Sequence, residues 1–278
     1  MYNKVIVPLD GSSLAEVALP YAEEIAGKMG TKMILLTVLL SDDSKEHQNH
    51  HDYIKRVVEA TRRHVEKYTE QIEKKNIRIE TATRSGSPAE GILSFANKGY
   101  PTLIIMATHG RSGLSRWAVG SVADKIVRAT SLQPVMLIRA NGAHPDVRAK
   151  RILKKVLVPL DGSTESEAVI PFISEIARSL QMEITFVRVV SRNNNGHTAA
   201  DGYLKNWCNQ LKEYSLSAEY YVKTGNAAEE IIDLADELAS DLVAMSTRGQ
   251  AATSLWSLGS VAQKVLLGGN TPLLLIKA

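Results

Sequence analysis

Short apolar runs alternate with longer amphipathic stretches along this chain, and the alternation restarts halfway. Residues 5–9, 33–39, 103–107 and 135–139 are compact runs rich in Val, Ile and Leu, as expected of strands buried on both faces. Residues 77–84 alternate apolar and polar positions and predict a further strand. Between these runs, Val17, Tyr21, Ile25 and Met29 recur at helical spacing until Gly30 stops them. Residues 53–74 form a long charged amphipathic pattern, and 88–97 and 118–129 shorter helical ones. Ser13 with Glu16 reads as a capping box for the first helix, and Thr164 with Glu167 repeats it. Pro20 and Pro171 fall inside that helix at equivalent places and predict a kink or an early irregularity in both copies.

The restart is a duplication. Val5-Ile6-Val7-Pro8-Leu9-Asp10-Gly11-Ser12 returns as Val156-Leu157-Val158-Pro159-Leu160-Asp161-Gly162-Ser163. Thr108-His109-Gly110, followed by Gly120-Ser121, returns as Thr247-Arg248-Gly249, followed by Gly259-Ser260, with nine residues between the two glycines each time. Val5 and Val156 are 151 residues apart, whereas Gly86 and Gly225, like Gly110 and Gly249, are 139 apart, so the second copy lacks 12 residues before Gly86. The polar, histidine-bearing stretch 41–52 of the first copy reads as a surface insertion. Residues 141–150 are polar and turn-rich and read as a linker between a first domain, 1–140, and a second, 151–278.

Strands alternating with helices predict, for each copy, a doubly wound α/β domain whose five-stranded parallel sheet has helices on both faces. The order 3-2-1-4-5 sets strand four beside strand one, and ligands in such sheets bind at the carboxyl ends of the strands where the order reverses. Both repeated loops arrive there. Pro8, Leu9 and Asp10 leave strand one, as do Pro159, Leu160 and Asp161 in the second copy, and the Thr-x-Gly loops leave strand four. The linker is short enough for the halves to be expected to pack on one another.

At 278 residues and 44% hydrophobic, the chain can bury two ordinary cores. A net charge of +3, with aromatics at 5% and no basic run interleaved with them, gives no footprint for nucleic acid. No segment approaches ~18 unbroken apolar residues and no basic-then-apolar leader opens the sequence, so no membrane partner and a soluble, cytoplasmic protein are expected. The single cysteine, Cys208, allows no internal disulfide and reads as an inert, partly buried thiol. His47, His50 and His51 near Asp52 raise a metal site, but they lie in the insertion without a matching ligand pair, and a solvated loop is the better reading. Trp117 and Trp256 occupy equivalent places and are expected to pack a loop or the domain interface. Glu90 and Glu229 match near two helix starts, where compensation of the helix dipole explains them.

The repeated loops carry the candidate chemistry. Gly110 and Gly249 free the backbone beyond strand four, where a Cβ would hinder close approach. Gly120-Ser121 and Gly259-Ser260 sit where a helix begins, so unpaired amides, the helix dipole and a hydroxyl favour a phosphate there. Arg111 and Arg248 could complement its charge. Asp10 and Asp161 could accept from a ribose hydroxyl or an adenine amino group, and the backbone around Val38 and Val189 could pair with a base. In a single copy, glycines for turns and serines for caps would explain as much; the preserved nine-residue gap favours nucleotide binding. His109 is replaced by Arg248, so no acid–base role is common to both copies. No P-loop and no Gly-x-Gly-x-x-Gly fingerprint is present.

Val-Pro-Leu-Asp-Gly-Ser at the first strand, with Met106-Ala107-Thr108-His109-Gly110 and Gly120-Ser121-Val122-Ala123, resembles the universal stress protein family over nearly the whole chain, as two tandem domains. The family's ATP-binding pattern, Gly-x2-Gly-x9-Gly-[Ser/Thr], maps onto Ala107, Gly110, Gly120 and Ser121, and again onto Ser246, Gly249, Gly259 and Ser260. The first glycine is replaced in both copies. By the same resemblance Met106, Val122 and Ala123 join the first site, and Met245, Val261 and Ala262 the second. Ser246 adds a hydroxyl where the family brings backbone close to the nucleotide, and Gln250 stands where the first loop has Arg111, so the second site is expected to be degraded. The resemblance also implies pairing through the last strands, 135–139 and 273–277, which a tandem chain can satisfy internally as a pseudo-dimer; further association into a homodimer stays open.

The function expected from the resemblance is a stress-response protein that binds ATP or a related adenine nucleotide as a regulatory ligand. Two alternatives stay open: a slow magnesium-dependent ATPase or phosphotransferase in which Asp10 helps place the metal, and a module that binds an unidentified protein partner without nucleotide.

Overall fold

The structure is a computed structural model that describes residues 2–40, 44–69, 78–97, 101–109, 119–130, 133–139, 151–191, 196–249 and 258–278. It divides into two compact units, Met1–Ile152 and Leu153–Ala278.

In the first unit the order is β1 (Lys4–Pro8), α1 (Ser13–Glu16), α2 (Leu19–Met29), β2 (Lys32–Leu39), α3 (Ser44–Thr69), β3 (Ile79–Ser85), α4 (Pro88–Ala96), β4 (Thr102–Ala107), α5 (Ser121–Ala129) and β5 (Val135–Ile138). Its strands pair in the order β3-β2-β1-β4-β5, all parallel. Registers such as Ile6 beside Ile34 on one side and Ile104 on the other align the carboxyl ends of β1, β2 and β4 along one edge. The central strands are continuous apolar runs because helices cover both faces: Val5, Ile6 and Val7 are fully buried, and every residue of β4 is buried. Edge strand β3 keeps an exposed, polar side.

The second unit repeats the plan with β6 (Lys155–Pro159), α6 (Thr164–Glu167), α7 (Ile170–Leu180), β7 (Glu183–Val190), α8 (His197–Glu213), β8 (Ala218–Thr224), α9 (Ala227–Glu237), β9 (Leu242–Ser246), α10 (Ser260–Gly268) and β10 (Leu273–Ile276). Its strand order, β8-β7-β6-β9-β10, is the same topology. The chain is thus two doubly wound α/β domains in tandem, each a five-stranded parallel sheet in the order 3-2-1-4-5. Among the described residues no helix is long and apolar enough to cross a membrane.

Local chemistry explains the elements and moves three expectations. The first helix caps are Ser12 and Ser163 rather than Ser13 and Thr164: their hydroxyls accept from the N–H of Ala15 and Ser166 at 3.3 and 3.1 Å. The reciprocal glutamate contact of a capping box is not made by Glu167, which instead accepts from the Tyr203 hydroxyl at 2.7 Å. Each first helix lasts one turn and then restarts, with Pro20 and Pro171 in the opening turn of α2 and α7, where a missing N–H costs nothing. This is the irregularity the prolines predict. Gly30 ends α2 in the left-handed conformation, φ 65°.

The second change concerns 41–52. Residues 44–52 do not form a surface loop but open α3, which runs 26 residues against 17 for α8. The extra length of the first repeat therefore lengthens a helix beside the sheet's carboxyl edge. Third, α5 starts at Ser121 instead of Ala118, because Gly120 is extended (φ −60°, ψ 149°) and its N–H is tied to the Thr108 carbonyl at 2.8 Å.

Candidate functional site

Each sheet ends in a crevice at its carboxyl edge. In the first unit the cavity measures about 590 Å3. It gathers Pro8, Leu9 and Asp10 from the end of β1, Val38 from β2, Met106 and Ala107 from β4, and Gly120, Ser121, Val122 and Ala123 from the start of α5. Gly110, Arg111 and Trp117 lie outside the described residues, as do Gln250, Trp256 and the linker 141–150.

The junction of β4 and α5 is built around a glycine. Thr108 donates its N–H to the Ile138 carbonyl at 2.8 Å, and its own carbonyl accepts from Gly120. A Cβ on Gly120 would stand 2.8 Å from that oxygen, so no other residue fits without moving the turn. Gly120 has no side chain to cap the helix, and the amides of Ser121, Val122 and Ala123 form the positive end of the α5 dipole at the crevice wall. The arrangement offers an anion several hydrogen-bond donors.

Asp10 is oriented by the residue after next. Its Oδ1 accepts from the Ser12 N–H at 3.0 Å and from the Ser12 hydroxyl at 2.6 Å, which closes the β1–α1 turn and fixes the carboxylate on the crevice rim. His109 also lines the cavity, with Nδ1 3.1 Å from the Thr108 hydroxyl. Its Nε2 is buried without a hydrogen-bond partner among the described residues. Burial, and then the nearby Arg139 guanidinium, lower its pKa, so the imidazole is neutral near pH 7.

Sequence reasoning missed part of the wall. Thr37, Leu40, His50, Tyr53 and Arg56 line the same cavity, the last three from α3. His50 enters as a wall residue beside Tyr53, ring centroids 6.0 Å apart; among the described residues no group of three or more His, Cys, Asp or Glu side chains could hold a metal. The spacing of three in His50, Tyr53 and Arg56 is the signal that places them on one side of a helix. It was hidden because the helix was expected to begin only at 53.

The second crevice is built from the equivalent residues and is far smaller, about 160 Å3. It brings together Pro159, Leu160, Asp161, Val189, Met245, Ser246, Gly249, Gly259, Ser260, Val261 and Ala262. Gly259 repeats the tie, N–H to the Thr247 carbonyl at 2.7 Å, and a Cβ there would stand 2.9 Å from that oxygen. Asp161 repeats the turn, accepting from the Ser163 N–H at 2.9 Å and its hydroxyl at 2.5 Å.

Two sets of contacts crowd its surroundings. Arg188 stands at the position of Thr37, and its guanidinium lies 5.0 Å over the Tyr203 ring and within 2.9 Å of where a Gly162 Cβ would be. Tyr203 is in turn fixed by Glu167, and burial together with that bond raises its pKa. The Asp161 carboxylate also sits where a Cβ on Gly249 would be, so the loop after β9 lies directly against the loop after β6. Ser246 is buried, and its hydroxyl accepts from the Arg248 N–H at 3.3 Å. Cys208, buried on α8, has its thiol pKa raised by burial, as an inert thiol should. Glu90 and Glu229 occupy the first turns of α4 and α9.

Comparison with known proteins places this architecture. The family model described as the universal stress protein family matches residues 1–139 and again 153–277. A universal stress protein of Methanocaldococcus jannaschii is 28% identical over 147 residues, 50% of this chain and 83% of the relative. The Bacillus subtilis universal stress protein YxiE is also 28% identical, over 149 residues that cover 50% of this chain and all of the relative. The crystal structure of a universal stress protein from Archaeoglobus fulgidus superimposes with a TM-score of 0.73 at 18% identity, over 99% of this chain and 96% of that one, a likeness of fold. Two matches of one family model, on two copies of one fold, leave no other assignment: the chain belongs to the universal stress protein family, as two of its domains in tandem.

Proposed function

We propose that this chain binds ATP or a related adenine nucleotide in the crevice of its first unit, as a regulatory ligand in a stress response. One observation carries the reading: donors suited to phosphate, an oriented carboxylate and free strand-end backbone line a single cavity of about 590 Å3, within the ~300–1,000 Å3 typical of ligand sites. The phosphates meet the amides of Ser121, Val122 and Ala123 below Gly120, with magnesium accompanying them. Asp10 accepts from the ribose or the base, and the backbone at Val38 pairs with the adenine edge, between Pro8 and Leu9 on one side and Met106 and Ala107 on the other. Gly110 is assigned to the same phosphate end on the family pattern, and Arg111 by its charge.

The proposal is of a binder whose nucleotide state is read by a protein partner. Backbone amides hold a phosphate without moving protons, so the geometry supports retention better than turnover. The second crevice, at about 160 Å3, falls below the ~300 Å3 lower bound of ordinary ligand sites, and we assign it no nucleotide in the resting protein.

The test is the nucleotide content of the purified full chain. After incubation with excess ATP and magnesium, the protein is freed of unbound ligand and denatured, and the released adenine nucleotide is quantified. About one equivalent per chain is expected from a single working crevice. None retained, together with no calorimetric signal on titration with ATP, overturns the reading.

A further inference from the structure

The α3 side of the first crevice, its lobe, is lined by residues whose counterparts do not line the second. Gly11, Thr37, Leu40, His50, Tyr53 and Arg56 line the first cavity, whereas the counterparts of the first three, Gly162, Arg188 and Ser191, do not line the second, and no α8 residue does. In the second unit the Arg188 guanidinium occupies this place, between Tyr203 and Gly162. Thr37, a short side chain at the same strand position, leaves it open, and the elongated α3 supplies its outer wall.

The lining has a definite chemical character. Leu40, 74% exposed, is one of the large apolar side chains left at the surface, and it stands at the rim. His50 and Tyr53 set two rings side by side, tilted by 38°. Two hydrogen-bond donors are unanswered. Thr37 is 2% exposed and its hydroxyl has no hydrogen-bond partner among the described residues, although a buried hydroxyl without one is costly. Arg56 has no ion pair or hydrogen bond among the described residues. Asp10, the carboxylate of this rim, is turned to Ser12 through its Oδ1.

We propose that this lobe is a second ligand subsite of the first unit, beside the nucleotide groove, and that it takes a small amphipathic organic anion: a flat apolar body of one or two rings bearing a single carboxylate or sulfonate. The ring system lies against Tyr53, His50 and Leu40. The anionic group pairs with the Arg56 guanidinium, and an acceptor on the ligand satisfies the Thr37 hydroxyl. The inference goes beyond nucleotide binding and does not require it.

The experiment uses the full chain and 8-anilinonaphthalene-1-sulfonate, a two-ring dye with one sulfonate whose fluorescence rises in an apolar site. One dye per chain is expected, displaced by 1-naphthoate and at least about tenfold less well by the uncharged 1-naphthalenemethanol, because a charge-assisted bond to Arg56 is lost. Thr37→Arg, which introduces the side chain that fills the second unit, is expected to weaken dye binding by at least about tenfold through occupation of the lobe. Arg56→Ala, on an exposed face where folding is not at stake, is expected to weaken it by about tenfold as well. Absence of dye binding, equal displacement by the acid and the alcohol, or unchanged dye affinity in Arg56→Ala overturns the proposal. ATP titrated into the same wild-type preparation reads the nucleotide site separately, so either proposal can fail alone.

Discussion

The two crevices share a backbone and differ in what fills it. Both close the turn after β1 or β6 with an Asp–Ser pair, both tie a glycine amide to a threonine carbonyl, and both open a nine-residue helix at that glycine. Yet one encloses about 590 Å3 and the other about 160 Å3. The frame is set by requirements a duplication inherits intact: parallel registers, turn glycines and helix starts. Capacity is set by a few side chains that can change without disturbing it. Thr37 against Arg188 is one such change, and the length of α3 against α8 is another. A family fold can therefore keep the shape of a binding site after its volume has been filled.

The sharpest way to break the comparison is at the glycines. Gly120→Val places side-chain carbon against the Thr108 carbonyl and displaces the amides proposed to hold phosphate. ATP affinity is expected to fall by at least about a hundredfold, about 2.7 kcal/mol. Gly259→Val meets the Thr247 carbonyl in the same way and is expected to leave ATP affinity unchanged. Calorimetry on the two variants checks the pair; equal losses would show that both crevices carry nucleotide.

The aspartates come next. Asp10→Ala removes the acceptor for the Ser12 N–H and hydroxyl, and Asp161→Ala does the same to Ser163. Each is expected to cost about 1–2 kcal/mol in urea unfolding, since a charged acceptor leaves two donors unmet. Only Asp10→Ala is expected to weaken ATP binding as well. A loss of binding from Asp161→Ala alone would reverse the assignment of working and filled crevices.

A gentler change should make the second crevice resemble the first. Arg188→Thr removes the guanidinium from Tyr203 and Gly162. The expected cost to stability is about 0.5–1 kcal/mol, the scale of a cation–π contact. Nucleotide retained per chain should rise above the wild-type value in the denaturation assay. If it does not, the Asp161–Gly249 contact is the narrowing that matters.

Much of this architecture was legible in the sequence because it rests on local signals. Buried parallel strands read as apolar runs, and the first-helix prolines and Gly30 marked breaks that the backbone makes for steric reasons. The duplicated loops pointed to the sheet edge where the described residues of both crevices meet. What failed to show was contact at a distance. The opening of α3 carries charge and histidine instead of apolar periodicity, so residues 44–52 read as a loop. Ser246 and Gln250 suggested a weaker second site, whereas the contacts of Arg188 with Tyr203 and Gly162, and of Asp161 with Gly249, depend on the fold and gave no local signal. The N-caps fell one residue early because Ser12-Ser13 and Ser163-Thr164 each offer two adjacent hydroxyls, and only backbone geometry chooses between them.

The smallest difference between the crevices is one of proton affinity. His109 lines the first and Arg248 the second. Burial, and then Arg139, hold the His109 pKa below its ordinary value of 6.5. Above pH 6.5 the imidazole is neutral in both folded and unfolded chains and adds no pH dependence. As the pH falls below 6.5 the unfolded chain takes up a proton that the folded chain resists, so stability declines until the folded pKa is passed and then levels off. The second crevice carries no imidazole at this place and so contributes no such slope. Urea unfolding between pH 7.5 and 5 is expected to show the decline flattened in His109→Gln and unaltered in Arg248→Gln. An unchanged slope in His109→Gln would mean that the proton enters the first crevice without resistance, and that its wall is wetter than the burial of Nε2 implies.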